Sequence, residues 1–430
     1  MTSPASAPAL PLAAGLSLTV NGRPADVLAT NVAYFVSAAV AGPSDIVLES
    51  ASPLGDVEIS PIRKGIQPSV EGGRLAFRIE GPELLHLQLS GLPLPLFFFG
   101  NPGTPYDGKA TYAFAGGGVH DAGEITLRSG ESLYIEAGTI VRGSVRADEA
   151  DGIRIYGEGI LDGSYFAGVR DYRMILLYRC TNVEIRDIAM VHPPCWMMML
   201  ADCEDVRVDR VKQIGEVVSS DGIDIVGSRN VTVENCFLRN NDDCVVVKAF
   251  DWPDEQAGRT LLAARDVYGI RVRACTFVNG PSGNAFEIGH ELTVAEVRDI
   301  VFEDIDIVTV HGYGAALSIH VGDRAAVRDV VFRDIRIQHY YDKLVDFRVM
   351  KSMYNQDAER GTIQDILLQD IQVRVSPYNP GYSTSLIGGY DAEHRVERIT
   401  FDNFTLNRVR VLSADQLDLF TKQAADIVFR

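Results

Sequence analysis

The stretch that decides the fold is Asn182-Val-Glu-Ile-Arg-Asp-Ile188, a short β-branched strand framed by Asn and Asp. The same phrase returns at Asn230–Cys236, Asp299–Ile305, Asp329–Ile335 and Asp365–Ile371. Short strands at such a period, with polar bends and no long helix between them, are typical of a parallel β-helix. The first apolar residue of each phrase recurs every 23 to 39 residues, at Ile153, Val183, Val206, Val231, Ile270, Ile300, Val330, Ile366 and Ile399.

A single coil of this kind cannot bury its own inner face. Coils stacked about 4.8 Å apart cover one another and bury a continuous apolar column. The uneven spacing of the phrases fits insertions at one corner of each coil. A β-propeller is disfavoured because it needs about four strands in each blade and a blade-wide motif. The sequence therefore predicts an all-β parallel β-helix (a solenoid), with helix signals only at the ends, for instance at Ala414–Ala424.

The first hundred residues show a different pattern. Short alternating segments broken by Gly and Pro indicate a small antiparallel β-sandwich over residues 16–105. Residues 1–15 are expected to be disordered or extended, and the β-helix is expected to occupy residues 106–430. The run Leu92–Gly103 contains three consecutive phenylalanines and is predicted to be a connector buried against the next domain.

Composition limits the partners and the location of the protein. With 40 basic and 58 acidic residues the net charge is −18, so neither nucleic acid nor membrane is an expected partner. The N-terminus lacks the basic and apolar regions of a signal peptide, so a cytoplasmic location is expected, or a secreted or periplasmic one where a leader was removed. The six cysteines form no Cys-x-x-Cys pair and are expected to be buried thiols. The oligomeric state stays open.

Three aspartates carry the chemistry that the sequence suggests. Asp221 lies 21 residues before Asp242 and 22 before Asp243, which is close to one local coil. Side chains one coil apart stack on the same wall, so the three carboxylates are expected to share a groove. Because neighbouring residues of a straight strand face opposite sides, Asp242 and Asp243 meet only where the chain bends.

Crowded carboxylates push one pKa upward, so that one group keeps its proton at neutral pH. Glycoside hydrolysis needs this division between a protonated acid and ionised partners. Two other interpretations remain open at this point. The aspartates could cap β-helix turns, or they could bind calcium. For Asp224, turn capping and a catalytic role are equally expected.

The segments Ser219–Asp221 and Asn241–Cys244, at this separation and on this repeat, resemble those of glycoside hydrolase family 28, the polygalacturonases and rhamnogalacturonases. They also resemble family 49 of the same clan, the dextranases and isopullulanases, which the N-terminal sandwich and Thr111–His120 favour. The resemblance covers most of the chain from about residue 90. It implies a right-handed β-helix that cleaves α-glycosidic bonds with inversion, without metal or cofactor.

In that resemblance Asp242 matches the general acid, while Asp221 and Asp243 match the pair that holds and deprotonates water. The family's Gly-His-Gly falls on Gly283–Ala285, so its histidine is missing, and its Arg-Ile-Lys appears as Ser318–His320. Loss of both cations removes the fork that a uronate needs, which favours a neutral sugar over polygalacturonate. The residues expected to bind the substrate are Lys248, His290, Glu287, Glu291, His320, Asn284, Trp196 and Trp252.

Three alternative functions and one detail of the mode of action follow from the same residues. A pectin hydrolase of the polygalacturonase type, a β-helix polysaccharide lyase and a carbohydrate-binding β-helix without activity are the rivals. Calcium dependence and an unsaturated product would support the lyase. The segments Phe250–Arg265 and Tyr378–Tyr382 are expected to close one end of the groove and make the enzyme exo-acting.

Overall fold

A computed structural model describes residues 10–169, 172–255, 257–375 and 384–430 of the chain. Of the segment 1–15 that was predicted to be disordered or extended, residues 1–9 lie outside the described residues and Leu12 pairs with Leu28. The first ten strands are β1 Leu16–Val20, β2 Arg23–Ala25, β3 Leu28–Ala29, β4 Tyr34–Ala39, β5 Ser44–Ser50, β6 Val57–Ser60, β7 Ser69–Glu71, β8 Arg74–Ile79, β9 Leu84–Leu89 and β10 Leu96–Asn101.

These strands make two five-stranded sheets, in the orders β2-β1-β5-β8-β7 and β3-β4-β10-β9-β6. The sheets share one apolar cluster, to which Leu18 and Leu48 come from the first sheet and Val36 and Leu87 from the second. The alternating segments of the sequence place these side chains on the inner faces. The predicted β-sandwich is therefore present, although β10 runs parallel to β4 and the sandwich is not purely antiparallel.

The predicted connector at Leu92–Gly103 is wrong in one respect, because its phenylalanines lie in strand β10. Alternation along the strand turns Phe98 into the sandwich core and Phe97 and Phe99 outward. The outward rings contact Phe237 of the following solenoid, with centroids 5.0 and 5.2 Å away. The predicted burial is confirmed, and it fastens the sandwich to the solenoid.

In the remaining described residues, thirty further strands form one long sheet that winds along the chain. They are β11 Tyr112–Phe114, β12 Gly118–Thr126, β13 Ser132–Ile135, β14 Thr139–Asp148, β15 Arg154–Tyr156, β16 Ile160–Asp162, β17 Ile175–Tyr178, β18 Thr181–Arg186, β19 Ala189–Val191, β20 Met198–Ala201, β21 Glu204–Asp209, β22 Lys212–Ile214, β23 Ile223–Val226, β24 Arg229–Glu234, β25 Phe237–Asn240, β26 Val245–Ala249, β29 Tyr268–Arg273, β30 Thr276–Asn279, β31 Phe286–Leu292, β32 Glu296–Val310, β33 Ala315–Val321, β34 Ala326–Ile337, β35 Lys343–Val349, β36 Thr362–Val373, β37 Ser385–Gly388, β38 Val396–Asp402, β39 Thr405–Leu406, β40 Val409–Arg410, β41 Leu419–Lys422 and β42 Ala424–Phe429. A separate hairpin pairs β27 Trp252–Asp254 with β28 Arg259–Leu261.

The coils stack in the register that the repeated phrase predicts. In the parallel ladder Val183 pairs with Val206 and Val206 with Val231, and the row continues through the other repeat positions, namely Ile270, Ile300, Val330, Ile366 and Ile399. All of them are buried in one apolar column. The predicted parallel β-helix is confirmed. The division into domains at residues 105 and 106, which lie between β10 and β11, stays a prediction.

The Asn and Asp of the phrase turn the chain at both ends of each strand. Asn182 and Asp187 have φ values of +52° and +68°, the left-handed region that Asn and Asp enter more readily than other residues with a side chain. We call this set the turn ladder. Its Asn and Asp members are Asn182, Asp187, Asp205, Asn230, Asn235, Asp299, Asp304, Asp329, Asp334, Asp365, Asp370 and Asn403.

The helix predicted from Ala414–Ala424 is wrong. A 3-10 helix at Ala414–Leu417 ends at Asp418, whose φ is +46°, and β41 and β42 then complete the last coil. The other 3-10 helices are Ile62–Lys64 and Gly163–Phe166, and the described residues contain no α-helix. None of the helices there is long and apolar enough to cross a membrane. All six cysteines are buried and none forms a disulfide, as predicted.

Candidate active site

The three predicted aspartates lie together on the outside of the solenoid. Asp221 precedes β23, and Asp242 and Asp243 occupy the bend between β25 and β26. Because Ile223 pairs with Val245, Asp221 falls in register with Asp243, whose carbonyl accepts from the Gly222 amide at 2.8 Å. One carboxylate oxygen of each aspartate lies within 4.8 Å of the others. We call this group the carboxylate cluster.

The bend at Asp242 is held by two neighbours from the next coil. Gly283 has a φ of +66°, and a Cβ atom there would collide with Oδ1 of Asp242 and the amide nitrogen of Asp243. Only glycine fits this close approach. The Asn279 side chain donates to the carbonyl oxygens of Asp242 and Ser282 at 2.8 and 3.0 Å. These contacts keep two successive aspartates on one side of the chain.

Burial and like charge raise the pKa of every member of the cluster. Burial, followed by the charge of Asp242, raises the pKa of Asp221 to about 7. Burial and then Asp243 raise the pKa of Asp242 to about 7, and burial and then Glu287 raise the pKa of Asp243 to about 8. The cluster therefore retains protons near neutral pH, as the sequence predicted.

Lys248 supplies a buried positive charge beside the cluster. Its Nζ lies 3.5 Å from Asp221 Oδ2 and 3.4 Å from Asp224 Oδ1. Burial lowers the pKa of Lys248, but Glu291, Asp221 and Asp224 outweigh it and raise that pKa well above its ordinary value. Asp224, the equal candidate for turn capping, is fully buried in β23, and burial raises its pKa strongly.

Of the two predicted tryptophans, Trp196 contacts Lys248 and Trp252 packs against Trp196. Lys248 Nζ lies 3.9 Å from the ring centroid of Trp196, and the rings of Trp196 and Trp252 are 4.6 Å apart. The Arg173 guanidinium lies 4.5 and 4.4 Å from the two ring centroids. Trp196 is only 7% exposed, whereas Trp252 is half-buried. Their contact with a sugar stays a prediction.

A second polar group lies on β31 and β33, one coil beyond the cluster. The Glu287 carboxylate accepts from Ser318 Oγ at 2.6 Å and from Asn284 Nδ2 at 2.9 Å, and it lies 3.0 Å from His320 Nδ1. His320 Nε2 is 3.2 Å from Asp346 Oδ2. Burial opposes a charge on His320, but the two carboxylates raise its pKa to about 10.

His290 extends this group towards the surface. Its ring stacks on His320 with centroids 4.7 Å apart and 17° between the planes, and burial lowers its pKa to about 4. Glu291 follows it and is half-buried. Glu287, His290 and His320 each offer an atom within 4.8 Å of the others, which is a spacing that could hold a metal ion.

Sequence reasoning missed Asp346 and Arg348, which come from β35. The ladder places Arg348 beside His320, and its guanidinium lies 3.3 Å from His320 Nε2 and 2.7 Å from Asp346 Oδ2. The prediction that the site lacks both cations at Ser318–His320 is therefore wrong. A protonated His320 and Arg348 are present, but carboxylates hold both. Only the register of three successive coils could have revealed Arg348.

A cavity of about 490 Å³ lies away from the carboxylates, beside the 3-10 helix Ile62–Lys64. It is lined by Arg63, Arg336 and Arg374 among other residues. These three arginines are paired with Asp304, Asp306 or Asp334 of the solenoid, or with Glu58 of the sandwich. The polar chemistry of the predicted site is thus on a different face from this cavity.

The geometry above can be compared with known proteins. Residues 122–252, which include all three aspartates, match the model of "Glycosyl hydrolases family 28". The chain is related to that family. Its resemblance to the family 28 and family 49 clan is confirmed. Over 147 residues the chain is 29% identical to the "Probable rhamnogalacturonase A" of Aspergillus niger, covering 33% of this chain and 30% of that protein.

The match thus spans under a third of that curated relative. Two solved structures have a fold similar to that of this chain. Dex49A from Penicillium minioluteum covers 98% of this chain and 96% of its own, with a TM-score of 0.68 and 12% identity. The exopolygalacturonase from Thermotoga maritima covers 73% and 83%, with a TM-score of 0.57 and 16% identity. The shared fold is the right-handed parallel β-helix.

Proposed function

We propose that the protein is a glycosidase that hydrolyses α-glycosidic bonds of a polysaccharide or oligosaccharide. The observation that carries the proposal is the carboxylate cluster, in which three aspartates meet within 4.8 Å and all have raised pKa values. Such crowding costs stability, and perturbed carboxylates of this kind concentrate at catalytic sites. The relation to family 28 supports the same reaction.

The surroundings of each carboxylate favour one division of roles. Asp242 is the least buried of the three, so as general acid it reaches the leaving oxygen. We assign to it one of the protons that the cluster retains near neutral pH. Asp221 and Asp243 lie in register on successive coils and together hold the attacking water. Lys248 stabilises the ionised form of this pair from 3.5 Å.

We further propose inversion at the anomeric carbon, because two aspartates in register can grip one water molecule. The cluster is tighter than the roughly 6.5–9.5 Å that usually separates the carboxyl groups of inverting enzymes. The anomer that forms first, identified by proton NMR, therefore decides between inversion and retention. An inverted product supports the water-holding pair, whereas a retained product assigns one aspartate as a nucleophile.

The charges around the site support a neutral sugar as substrate. Lys248 is paired with Asp221 and Asp224, and His320 lies between Glu287 and Asp346. A uronate needs cations that can turn to its carboxylate, and these two are committed to acids. The competing substrate is pectin, as the name rhamnogalacturonase of one relative suggests. Comparable turnover of polygalacturonate and neutral α-glycans would refute the preference.

The hairpin β27–β28 supports an exo mode of action. It folds back over the preceding coils, where Arg259 pairs with Asp148 at 2.6 Å and the Leu262 amide donates to Tyr178 Oη at 3.2 Å. Leu261 is fully buried there. We propose that this hairpin closes one end of the groove, so that products of uniform small size are released. The other predicted closing segment, Tyr378–Tyr382, lies outside the described residues.

The site supports a lyase less well, because the catalytic base of a lyase must be deprotonated before it can accept a proton from the sugar. Lys248 is the cation beside the cluster, and its pKa is raised, which keeps it protonated. A binding protein without activity has no use for three clustered carboxylates with raised pKa values. The hydrolase is therefore the function that the site favours.

The test is a panel of polysaccharides and oligosaccharides resolved by chromatography, with the wild type beside Asp242→Asn. We expect one α-glycan to be hydrolysed and the variant to lose at least ~10²-fold in kcat, as for removal of a general acid. Equal activity of the two proteins would contradict the assignment of Asp242, and a panel without any cleavage would contradict the proposed reaction.

A further inference from the structure

We propose that Asn284, Glu287 and His320 form a positioning chain that orients Asp243 from behind and does not contact the sugar. The inference rests on the role proposed for Asp243 in holding water. It changes what the sequence suggested for these three residues, which were expected to bind the substrate. Three observations on the structure support it.

The first observation is the fixed orientation of the Asn284 amide. The Ala315 backbone amide donates to Asn284 Oδ1 at 2.8 Å, which leaves Nδ2 as the donor end. Its two hydrogens go to Asp243 Oδ1 and to Glu287 Oε2, both at 2.9 Å. The Asn284 backbone amide also donates to Asp243 Oδ1, at 2.7 Å. One residue thus clamps one oxygen of Asp243 and leaves the other oxygen for water.

The second observation is the burial of the residues behind Asn284. Glu287 is 1% exposed, His320 is 5% exposed and Ser318 is fully buried. The three polar atoms that meet Glu287 come from Asn284, Ser318 and His320, which leaves its carboxylate surrounded by the protein. Groups so placed act on the reaction through Asn284 and through their charge.

The third observation is the balance of charge along the chain. The charged or titratable groups that face Asp243 are Asp221, Asp224, Asp242, Lys248 and Glu287. Behind Glu287 lie His290, the carboxylate of Asp346 and two cations, His320 and Arg348. The two cations offset the negative charges of Glu287 and Asp346. After burial, Glu287 is the largest cause that raises the pKa of Asp243. An ionised Glu287 thus keeps Asp243 a stronger base.

The experiment compares Glu287→Gln and Asn284→Ser with Ser318→Ala, which also removes a hydrogen bond to Glu287 but leaves the clamp on Asp243. For the first two variants we expect kcat to fall at least ~10-fold while KM stays within about two-fold, since only a positioned group is lost. The control should keep kcat within about three-fold. A rise in KM at constant kcat would instead assign a sugar contact and overturn the proposal.

A second measurement does not depend on turnover. Aspartate labelled with ¹³C at the carboxyl carbon is titrated in the wild type and in Glu287→Gln, and the signal of Asp243 is identified by its loss in Asp243→Asn. We expect the pKa of Asp243 to fall by on the order of one unit when the neighbouring negative charge is removed. An unchanged titration would refute the positioning chain. If the wild type cleaves no substrate, the proposed function fails while this titration still decides the inference.

Discussion

The turn ladder and the carboxylate cluster use the same residue type on the same solenoid, with opposite electrostatic results. In the ladder, Asp365 accepts a hydrogen bond from Arg398 at 2.6 Å, and this contact lowers its pKa. In the cluster, burial raises the pKa of Asp221 to about 7. The ladder aspartate is exposed and paired with a cation, whereas Asp221 is 3% exposed and shares one lysine with other acids.

This contrast shows what separates a structural aspartate from a chemical one in a repeat protein. A ladder position needs a residue that tolerates a positive φ, and Asn serves as well as Asp. A cluster position needs a carboxylate whose proton can be moved. The two requirements can be separated by exchanging Asp for Asn, which keeps the shape and removes the charge.

The largest expected effect is on catalysis. Asp221→Asn should lower kcat by ~10² to ~10⁴-fold, because the water loses one of its two bases. The matched control is Asp370→Asn in the ladder, at a position equivalent to Asn235, which also has a positive φ. Initial rates on the substrate found by the panel should leave this control within about two-fold of the wild type. Equal losses of kcat in both variants would show that aspartates of the cluster and of the ladder do not differ in function.

A smaller effect is expected on the pH profile when Lys248 is replaced by Met. The positive charge of Lys248 lowers the pKa of Asp243, although burial and other charges raise it overall. Without that charge the pKa rises, and a base with a higher pKa becomes protonated at a higher pH. The acidic limb of kcat/KM should therefore move upward, by on the order of one pH unit. A limb that stays in place would separate Lys248 from the titration of the cluster.

The smallest expected effect is on stability, and its sign should differ between the two regions. Because the folded pKa of Asp242 is about 7, the folded state binds its proton more tightly than the unfolded state does. The contribution of Asp242 to wild-type stability then falls as pH rises from about 4 to about 7. Asp242→Asn should thus raise Tm by roughly 1–3 °C at pH 8 and hardly at all at pH 4.

The ladder supplies the opposite case. Asp370 has a φ of +55°, so Asp370→Ala should lower the free energy of unfolding by about 1 kcal/mol at either pH. Thermal unfolding at pH 4 and pH 8 measures both variants together. A destabilised Asp242→Asn at pH 8 would show that its carboxylate supports the fold, contrary to the argument from burial.

The fold could be predicted from the sequence because its signal is repeated. Val183, Val206 and Val231 occupy equivalent places in short phrases, and parallel pairing turns that regularity into register. The meeting of Asp221 with Asp242 and Asp243 followed in the same way, since their separation is close to one coil. The helix predicted at the C-terminus failed because the last coil is short and has no following phrase to reveal its strands.

The surroundings of the cluster could be predicted only in part. Arg348 lies 100 residues after Lys248 in the chain, and coils of unequal length hide how many turns separate the two. A shift in register between Val247 and Ala249 further disturbs the count at the site itself. The orientation of the Asn284 side-chain amide depends on a hydrogen bond from the Ala315 backbone, so the sequence pattern could not predict it.

The contact between Trp196 and Trp252 gives the protein an intrinsic fluorescent reporter. These are the only two tryptophans among its 430 residues, and Trp196, which contacts Trp252, lies beside Lys248. Tryptophan fluorescence therefore reports on the surroundings of these two residues alone, without a label and without signal from other tryptophans. Sugars can be screened for binding by emission in the inactive Asp221→Asn protein, so that affinity is measured before any product exists.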